Sequence, residues 1–252
     1  MIKIIFIILI IILLIIGIST IIKIKQSEGK LLKDVKKDLM TRINIITILI
    51  VIICIFSIAL IIIKAIDKKY NNSDFNIETY KSSIDKDNDG IDDQTDILNN
   101  TREYIAKNPQ YKSKYYDTGY PNDEYGVCTD VVGFALKDAG YDLQKLINED
   151  IINHKDLYNI EKIDKNIDFR RVRNLKVYFK NNTINLTTDI NNIKEWQGGD
   201  IIIFKNHIGI VSDKRNKKGI TYVIHHYSPL QNEYEEDILE KRNDIIGHYR
   251  IS

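Results

Sequence analysis

Residues 196–212 read WQGGDIIIFKNHIGIVS, and they predict the centre of a small antiparallel sheet. The apolar run Ile201–Phe204 follows two glycines, which is typical of a buried strand. A second apolar run starts at His207, and the two residues between the runs are enough for a hairpin turn. A third strand is predicted at Thr221–Ile224, followed at once by two histidines. The sequence therefore predicts three consecutive strands with polar side chains at their ends.

Cys128 is the candidate nucleophile, because it stands at the start of a predicted short helix. The apolar residues from Val131 onward share one helix face, and Gly140 is a typical helix stop. The N-terminus of a helix lowers a thiol pKa and offers N–H groups that can hold an oxyanion. The alternative is that Cys128 is a small, inert core residue.

His207 is the candidate base, since it lies at a strand start in the predicted sheet. A base on one strand with an orienting group on the next is the arrangement of a catalytic triad. His225 and His226 both end the next strand, and successive strand residues face opposite sides, so only one can face the site. The spacing and the apolar residues Val223 and Ile224, which come directly before the two histidines, favour His225 as the third residue.

Residues 85–96 read DKDNDGIDDQTD, which matches the twelve-residue calcium-loop pattern. Gly90 occupies the sixth place, where the loop turns sharply. The predicted ligands are five carboxylates and one backbone carbonyl, from Asp85, Asp87, Asp89, Ile91, Asp93 and Asp96. We expect a structural Ca²⁺ ion here. The alternative is a solvated acidic segment that binds no metal.

Two uncharged apolar runs, Ile4 to Ile22 and Ile43 to Ile63, predict two membrane-spanning helices. No small-residue cleavage site follows the first run, which argues against a secretion signal. The segment between the runs is rich in lysine, and this favours the cytoplasmic side for that loop. We therefore expect a multi-pass protein of the cell membrane whose C-terminal domain is extracytoplasmic. Lys64, Lys68 and Lys69 follow the second run and favour the inverted topology, with the C-terminal domain in the cytoplasm.

The predicted organisation has three parts. Residues 1–66 form the two spans and their basic connecting loop, residues 67–84 form a linker, and residues 85–252 form one α+β domain. The charge balance is even, with 36 basic and 35 acidic side chains. Proteins that bind nucleic acid show a clustered basic excess, so no nucleic-acid partner is expected.

Several motifs together resemble a known bacterial family: GVCTDVV around Cys128, WQGGDIIIF, HIGIVSD, IHH and the terminal GHYR. Over residues 85–252 they resemble the domain-of-unknown-function family numbered 1287, which is similar to the NlpC-type branch of papain-like cysteine peptidases. The resemblance implies a papain-like fold with N-terminal helices packed on a small antiparallel sheet. It also implies that Cys128 is the nucleophile, His207 the general base and His225 the orienting residue.

The implied function is a membrane-anchored cysteine hydrolase that cleaves an amide bond in peptidoglycan peptides at the cell envelope. Alternatives are a lipid acyl hydrolase or acyltransferase of the same fold, and a non-catalytic, calcium-stabilised binding module. Val127 and Thr129 flank Cys128 where the NlpC class has Asp and Ser, which is a departure from the pattern of that class. Candidate substrate-binding residues are Tyr125, Asp130, Arg170 and Arg171. For the two arginines a structural ion pair is an equal alternative.

Overall fold

The computed structural model describes residues 15–19, 22, 32–66 and 68–252, and the chain divides into two compact units, Met1–Lys68 and Lys69–Ser252. Helix α1, Leu32–Ile66, dominates the described part of the first unit.

One helix among the described residues is long and apolar enough to cross a membrane, over Lys37–Leu60 with a mean hydropathy of 3.0. None of this window is buried within the protein, as a lipid-facing helix requires. It overlaps the predicted span Ile43 to Ile63 and is consistent with a membrane anchor. The other predicted span, Ile4 to Ile22, lies largely outside the described residues and stays a prediction.

The second unit has an α+β architecture, as the sequence predicts. Its α-helices and β-strands, in chain order, are α2 Asp93–Ala106, β1 Gln110–Tyr111, β2 Tyr125–Gly126, α3 Cys128–Asp138, α4 Leu143–Asn153, α5 Val172–Asn182, β3 Ile184–Asn185, β4 Ile201–Phe204, β5 His207–Arg215, β6 Thr221–Ile224, β7 Glu235–Glu236 and β8 Ile245–Arg250. Four short 3₁₀ turns lie at Asn72–Phe75, Lys155–Leu157, Asp168–Arg170 and Leu239–Lys241.

The main sheet has six strands in the order β3-β8-β4-β5-β6-β7, and every neighbouring pair is antiparallel. The predicted hairpin is confirmed, because Phe204 pairs with His207 across the β4–β5 turn. In the next pair Ile210 faces Ile224. This register carries the chain directly from Ile224 into His225, beside the strand that begins at His207.

The two faces of the sheet bury different side chains, which follows from the alternation of a β-strand. Ile201, Ile208 and Ile210 pack against the helices, including Val132 and Leu136 of α3. The opposite face packs against a second cluster that contains Trp196, Ile202, Phe204, Val211 and Val223. Full burial of an aliphatic side chain contributes about 1.5–3 kcal/mol, so α3 is held firmly on the sheet.

The predicted linker, residues 67–84, is wrong for most of its length. The main chains of Tyr70 and Arg215 exchange two hydrogen bonds of 2.9 and 2.7 Å. Asn72 is buried, and its Oδ1 accepts the Nε–H of the fully buried Arg215 at 2.6 Å. A buried guanidinium needs acceptors for its donors. Because Asn72 supplies one of them, the folded unit begins at Lys69 and not at Asp85.

Candidate active site

Cys128 is the first residue of α3, as the sequence predicts. The N-cap Val127 has no side-chain acceptor, so Asp130 completes the helix start instead and accepts the Val127 N–H at 2.8 Å. The apolar residues of α3 pack on the sheet and fix the helix there. The thiol therefore has a defined position at a helix N-terminus beside β5.

The ionisation of Cys128 differs from the expectation of a lowered pKa. Burial raises the pKa of the thiol to about 11, and nearby backbone N–H groups, among them that of Ile208, oppose this shift without cancelling it. The enclosure comes from the apolar cluster on which Cys128 packs, although the residue keeps some exposed surface. The expectation failed because the cost of burying a charge exceeds the helix-terminus effect. In the resting protein the thiol is neutral.

The structure brings His207 and His225 together. His207 Nε2 lies 2.9 Å from His225 Nδ1, and the rings meet edge to face at 77°. Both residues are more than nine-tenths buried, with exposed fractions of 9% for His207 and 2% for His225. Burial lowers the pKa of His207 to about 4 and that of His225 to about 3, with Arg242 and the other histidines adding to the shift. Both imidazoles are therefore neutral near pH 7.

Cys128 lies beside the strand that starts at His207, since the N–H of Ile208 approaches its sulfur. In the described part of the chain no hydrogen bond joins the thiol to His207 itself. His207 uses Nε2 for its bond to His225, so Nδ1 is the nitrogen left for the thiol. His207 and His225 are thus in contact, and Cys128 lies beside the strand that begins at His207.

His225 and His226 face different surroundings, as the alternation of a strand requires. His226 packs edge-on against Tyr111 and Tyr234, with ring centroids 5.1 and 5.0 Å away. Its Nδ1 is buried without a hydrogen-bond partner. The residue that contacts His207 is therefore His225, the one that the sequence favours.

Sequence reasoning missed three residues near Cys128 and the histidines. Tyr227, half exposed, stacks on His225 at 5.3 Å and 14°. Glu236 places Oε2 at 3.0 Å from His225 Nε2. Tyr111 pairs with Gly126 across β1 and β2, and burial together with the nearby Cys128 raises its pKa. An aromatic residue directly after the histidine pair was a usable signal for Tyr227. The other two depend on strand pairing that local sequence does not reveal.

Asp130 and Arg170 were predicted to bind substrate, but they bind each other. Arg170 Nε and Nη2 lie 2.6 and 2.8 Å from the two carboxylate oxygens of Asp130, and Arg170 Nη1 donates to the carbonyl of Lys114 at 2.7 Å. Their side chains are only 0% and 2% exposed. This pair holds the start of α3 in place and has no free face for a ligand.

The other two predicted substrate contacts lie on the surface. Arg171 is 40% exposed in its side chain and sits 3.5 Å from the carboxylate of Asp168. Tyr125 lies in β2, and the ammonium groups of Lys112 and Lys114 lie over its ring, 4.7 and 4.9 Å from the ring centroid. Lys114 is also paired with Asp123, so Tyr125 belongs to a surface cluster of aromatic and charged side chains.

The acidic loop gathers part of the predicted ligand set. One carboxylate oxygen from each of Asp85, Asp87 and Asp89 lies within 4.8 Å of the others. Gly90 takes a φ of +93°, which permits the sharp turn. Burial, reinforced by Asp89 and Asp87, raises the pKa of Asp96 to about 6, so this carboxyl also lies near the cluster.

Asp93 and Ile91, two of the other predicted ligands, make hydrogen bonds within the loop and with the rest of the domain. The Asp93 carboxylate accepts the Lys86 N–H at 2.8 Å and the hydroxyl groups of Tyr141 and Ser252. These contacts connect the loop to the rest of the domain through both carboxylate oxygens of Asp93. Ile91 follows Gly90 in the turn, and its N–H donates to Asp89 Oδ1 at 2.8 Å.

Residues 98–251 match the family described as "Domain of unknown function (DUF1287)", which is more than half of the chain. The chain belongs to the DUF1287 family. The "Uncharacterized protein YijF" of Escherichia coli strain K12 is 34% identical over 167 residues, which cover 61% of this chain and 80% of that protein. No solved structure matches the chain. The DUF1287 region contains Cys128, His207 and His225 and begins after the acidic loop, residues 85–96.

Proposed function

We propose that this DUF1287 protein is a membrane-anchored cysteine hydrolase that cleaves an amide bond in peptidoglycan peptides. The observation that supports it best is the 2.9 Å contact between His207 Nε2 and His225 Nδ1, next to a cysteine at a helix N-terminus. In the proposal Cys128 is the nucleophile at the start of α3, His207 is the base at the start of β5, and His225, directly after β6, is the orienting group of a triad. In this proposal the domain is papain-like, of the NlpC type.

The ionisation states favour a coupled proton transfer over a resting ion pair. The thiol of Cys128 and the imidazole of His207 are both neutral at pH 7, since burial moves their pKa values to about 11 and about 4. The sulfur attacks the amide carbon while His207 takes the thiol proton. The N–H groups at the start of α3 stabilise the oxyanion. His207 then protonates the leaving amine, and water hydrolyses the thioester.

The N-terminal unit places this chemistry at the cell envelope in the proposal. In the proposal two spans anchor the protein, one of them the apolar helix window Lys37–Leu60, and the basic loop between them lies inside. The catalytic domain then lies outside the cytoplasm, where its peptidoglycan substrate is. The apolar anchor also keeps the domain close to lipid, which favours a lipid acyl hydrolase or acyltransferase as an alternative.

A structural Ca²⁺ ion at the acidic loop is part of the proposal. The oxygens of Asp85, Asp87 and Asp89 converge, and Asp96 lies close enough to them for their charges to raise its pKa. Calcium prefers such a set of carboxylate oxygens. It would neutralise four crowded carboxyl groups and stabilise the N-terminal end of α2.

The non-catalytic binding module is the second candidate, and one observation favours it. The Cys128 thiol has a pKa raised to about 11 by burial and makes no hydrogen bond to His207 among the described contacts. An inert core cysteine has the same properties. Only turnover separates the two functions, because a neutral resting thiol is compatible with both.

The experiment compares full-length wild-type protein with Cys128→Ala in detergent and calcium. Purified peptidoglycan is the substrate, and mass spectrometry reads the released fragments. Cys54→Ala is the matched control, since it removes the chain's other cysteine. We expect fragments from the wild type and from Cys54→Ala, and none from Cys128→Ala. Release by Cys128→Ala would exclude the proposed nucleophile. No release by folded wild type would favour a lipid ester, which the same samples then test, or the binding module.

A further inference from the structure

We propose that Glu236 is a positioning residue, which sets the tautomers of His225 and His207 so that the base faces the nucleophile. Its Oε2 lies 3.0 Å from His225 Nε2, and His225 Nδ1 lies 2.9 Å from His207 Nε2. The three side chains form a continuous relay that ends beside Cys128. This role rests on the proposed function, because it gives His207 the task of a base.

The carboxylate decides which nitrogen of His225 carries the proton. A carboxylate only accepts, and a bare imidazole lone pair at 3.0 Å would repel it. The N–H does not point straight at the oxygen, and the Nε2 of His225 makes no properly aligned hydrogen bond. The contact is therefore chiefly electrostatic, and it still favours the Nε2–H tautomer of His225.

The tautomer of His225 passes to His207 through their shared bond. With its proton on Nε2, neutral His225 presents a bare Nδ1, which must accept from His207 Nε2–H. Neutral His207 then has a bare Nδ1, and this is the nitrogen left for the Cys128 thiol. The opposite tautomers would present an N–H to the thiol, and an N–H cannot take a proton from it. Glu236 thus selects the one arrangement in which His207 works as a base.

The fold holds Glu236 in this position from several sides. Strand β7 pairs with β6, where Val223 faces Glu236 and Ile224 faces Glu235. The His225 main-chain N–H donates to the carbonyl of Tyr234 at 2.8 Å. Gln231 Nε2 bonds the carbonyl of His225 at 3.0 Å and approaches Glu236 Oε2 at 3.4 Å. The paired strands β6 and β7 and the hydrogen bonds of the loop between them therefore hold His225 and Glu236 in position.

Other charged groups near the relay do not take this role. Arg242 donates from Nε and from Nη2 to the carboxylate of Asp244, each at 2.7 Å, and this pair acts on His207 through its electrostatic field. Glu233 and Lys241 act on Glu236 in the same indirect way. His226 packs on the opposite side, against Tyr111. Glu236 is the carboxylate in direct contact with a ring nitrogen of the pair among the described residues.

The test reads the tautomers directly by ¹⁵N NMR of the full-length protein in nanodiscs, with ¹⁵N-labelled histidine. Protonated and bare ring nitrogens give separate signals. Glu236→Leu removes the acceptor, and Glu236→Gln keeps an acceptor oxygen without the charge. Glu235→Gln is the matched control, because Glu235 lies on the same strand but bonds Ser212, Lys214 and Arg102 instead.

We expect Nε2–H at both His225 and His207 in the wild type and in Glu235→Gln. Glu236→Leu should shift His225 to a tautomer mixture and lower kcat for peptidoglycan cleavage about ten- to a hundredfold with little change in KM. Glu236→Gln should restore most of both. A wild type with Nδ1–H at His225, or Glu236→Leu with unchanged tautomers, would overturn the role of Glu236. An inactive wild type would overturn the proposed hydrolase, and the tautomer signals would still judge the relay by themselves.

Discussion

Replacing Arg170 with methionine removes one partner of a buried ion pair and leaves Asp130 unpaired. The side chains are 2% and 0% exposed, and two hydrogen bonds of 2.6 and 2.8 Å join them. Breaking such a buried pair costs about 3–5 kcal/mol. In a domain of this size each kcal/mol moves the melting temperature by about 2–4 °C, so we expect Arg170→Met to melt roughly 6–20 °C lower.

The control is the neighbouring arginine. Arg171→Met removes an exposed side chain whose 3.5 Å ion pair with Asp168 is a surface contact, worth about 0–1 kcal/mol. Circular dichroism melts of the two full-length variants are compared with the wild type. Adding Asp130→Asn to Arg170→Met should recover part of the loss, because it removes the unpaired charge. Equal melting of Arg170→Met and Arg171→Met would refute the structural assignment and return Arg170 to the list of substrate contacts.

Three further predictions concern ionisation and calcium. Burial raises the pKa of the Cys128 thiol from 9.0 to about 11, so the thiolate at pH 7 is about a hundredfold scarcer than in an exposed cysteine. Iodoacetamide should therefore label Cys128 in the Cys54→Ala protein about tenfold faster for each pH unit up to pH 10. A labelling rate that reaches a plateau below pH 8 would contradict the raised pKa. Burial lowers the pKa of His207 to about 4 and that of His225 to about 3, so between pH 6.5 and 4 these histidines bind protons in the unfolded chain but not in the folded one. Urea titrations should therefore show that the free energy of unfolding falls as the pH is lowered through this range. A free energy of unfolding that rises instead would refute the neutral, buried histidines. Millimolar calcium should raise the melting temperature of the wild type but not that of Asp89→Asn. An equal rise in both proteins would refute the proposed calcium site at the acidic loop.

The sequence predicted the elements that depend on local pattern. The β4–β5 hairpin follows from two apolar runs with a two-residue gap, and the start of α3 at Cys128 follows from helix signals. The meeting of His207 with His225 also follows, since neighbouring antiparallel strands bring those ends together. The α+β class can therefore be predicted from residues 196–212 together with the helix at Cys128 and the strand before His225.

Contacts between distant parts of the chain could not be predicted in this way. Asp130 and Arg170 are 40 residues apart, and nothing local marks them as partners. Glu236 reaches His225 only through the short pairing of β6 with β7. Residues after Tyr70 looked like a polar linker because the buried Arg215 that they cover lies far along the chain. The neutral thiol of Cys128 was missed for another reason, since it is a balance between burial and the helix terminus.

The most direct test of the central claim is the release of peptidoglycan fragments by full-length protein and by its Cys128→Ala variant. We predict soluble peptide fragments from the wild type, with masses that identify one cleaved amide bond, and none from Cys128→Ala at the same protein concentration. Equal release by both proteins, or intact peptidoglycan after incubation with folded, calcium-loaded wild type, would contradict the account.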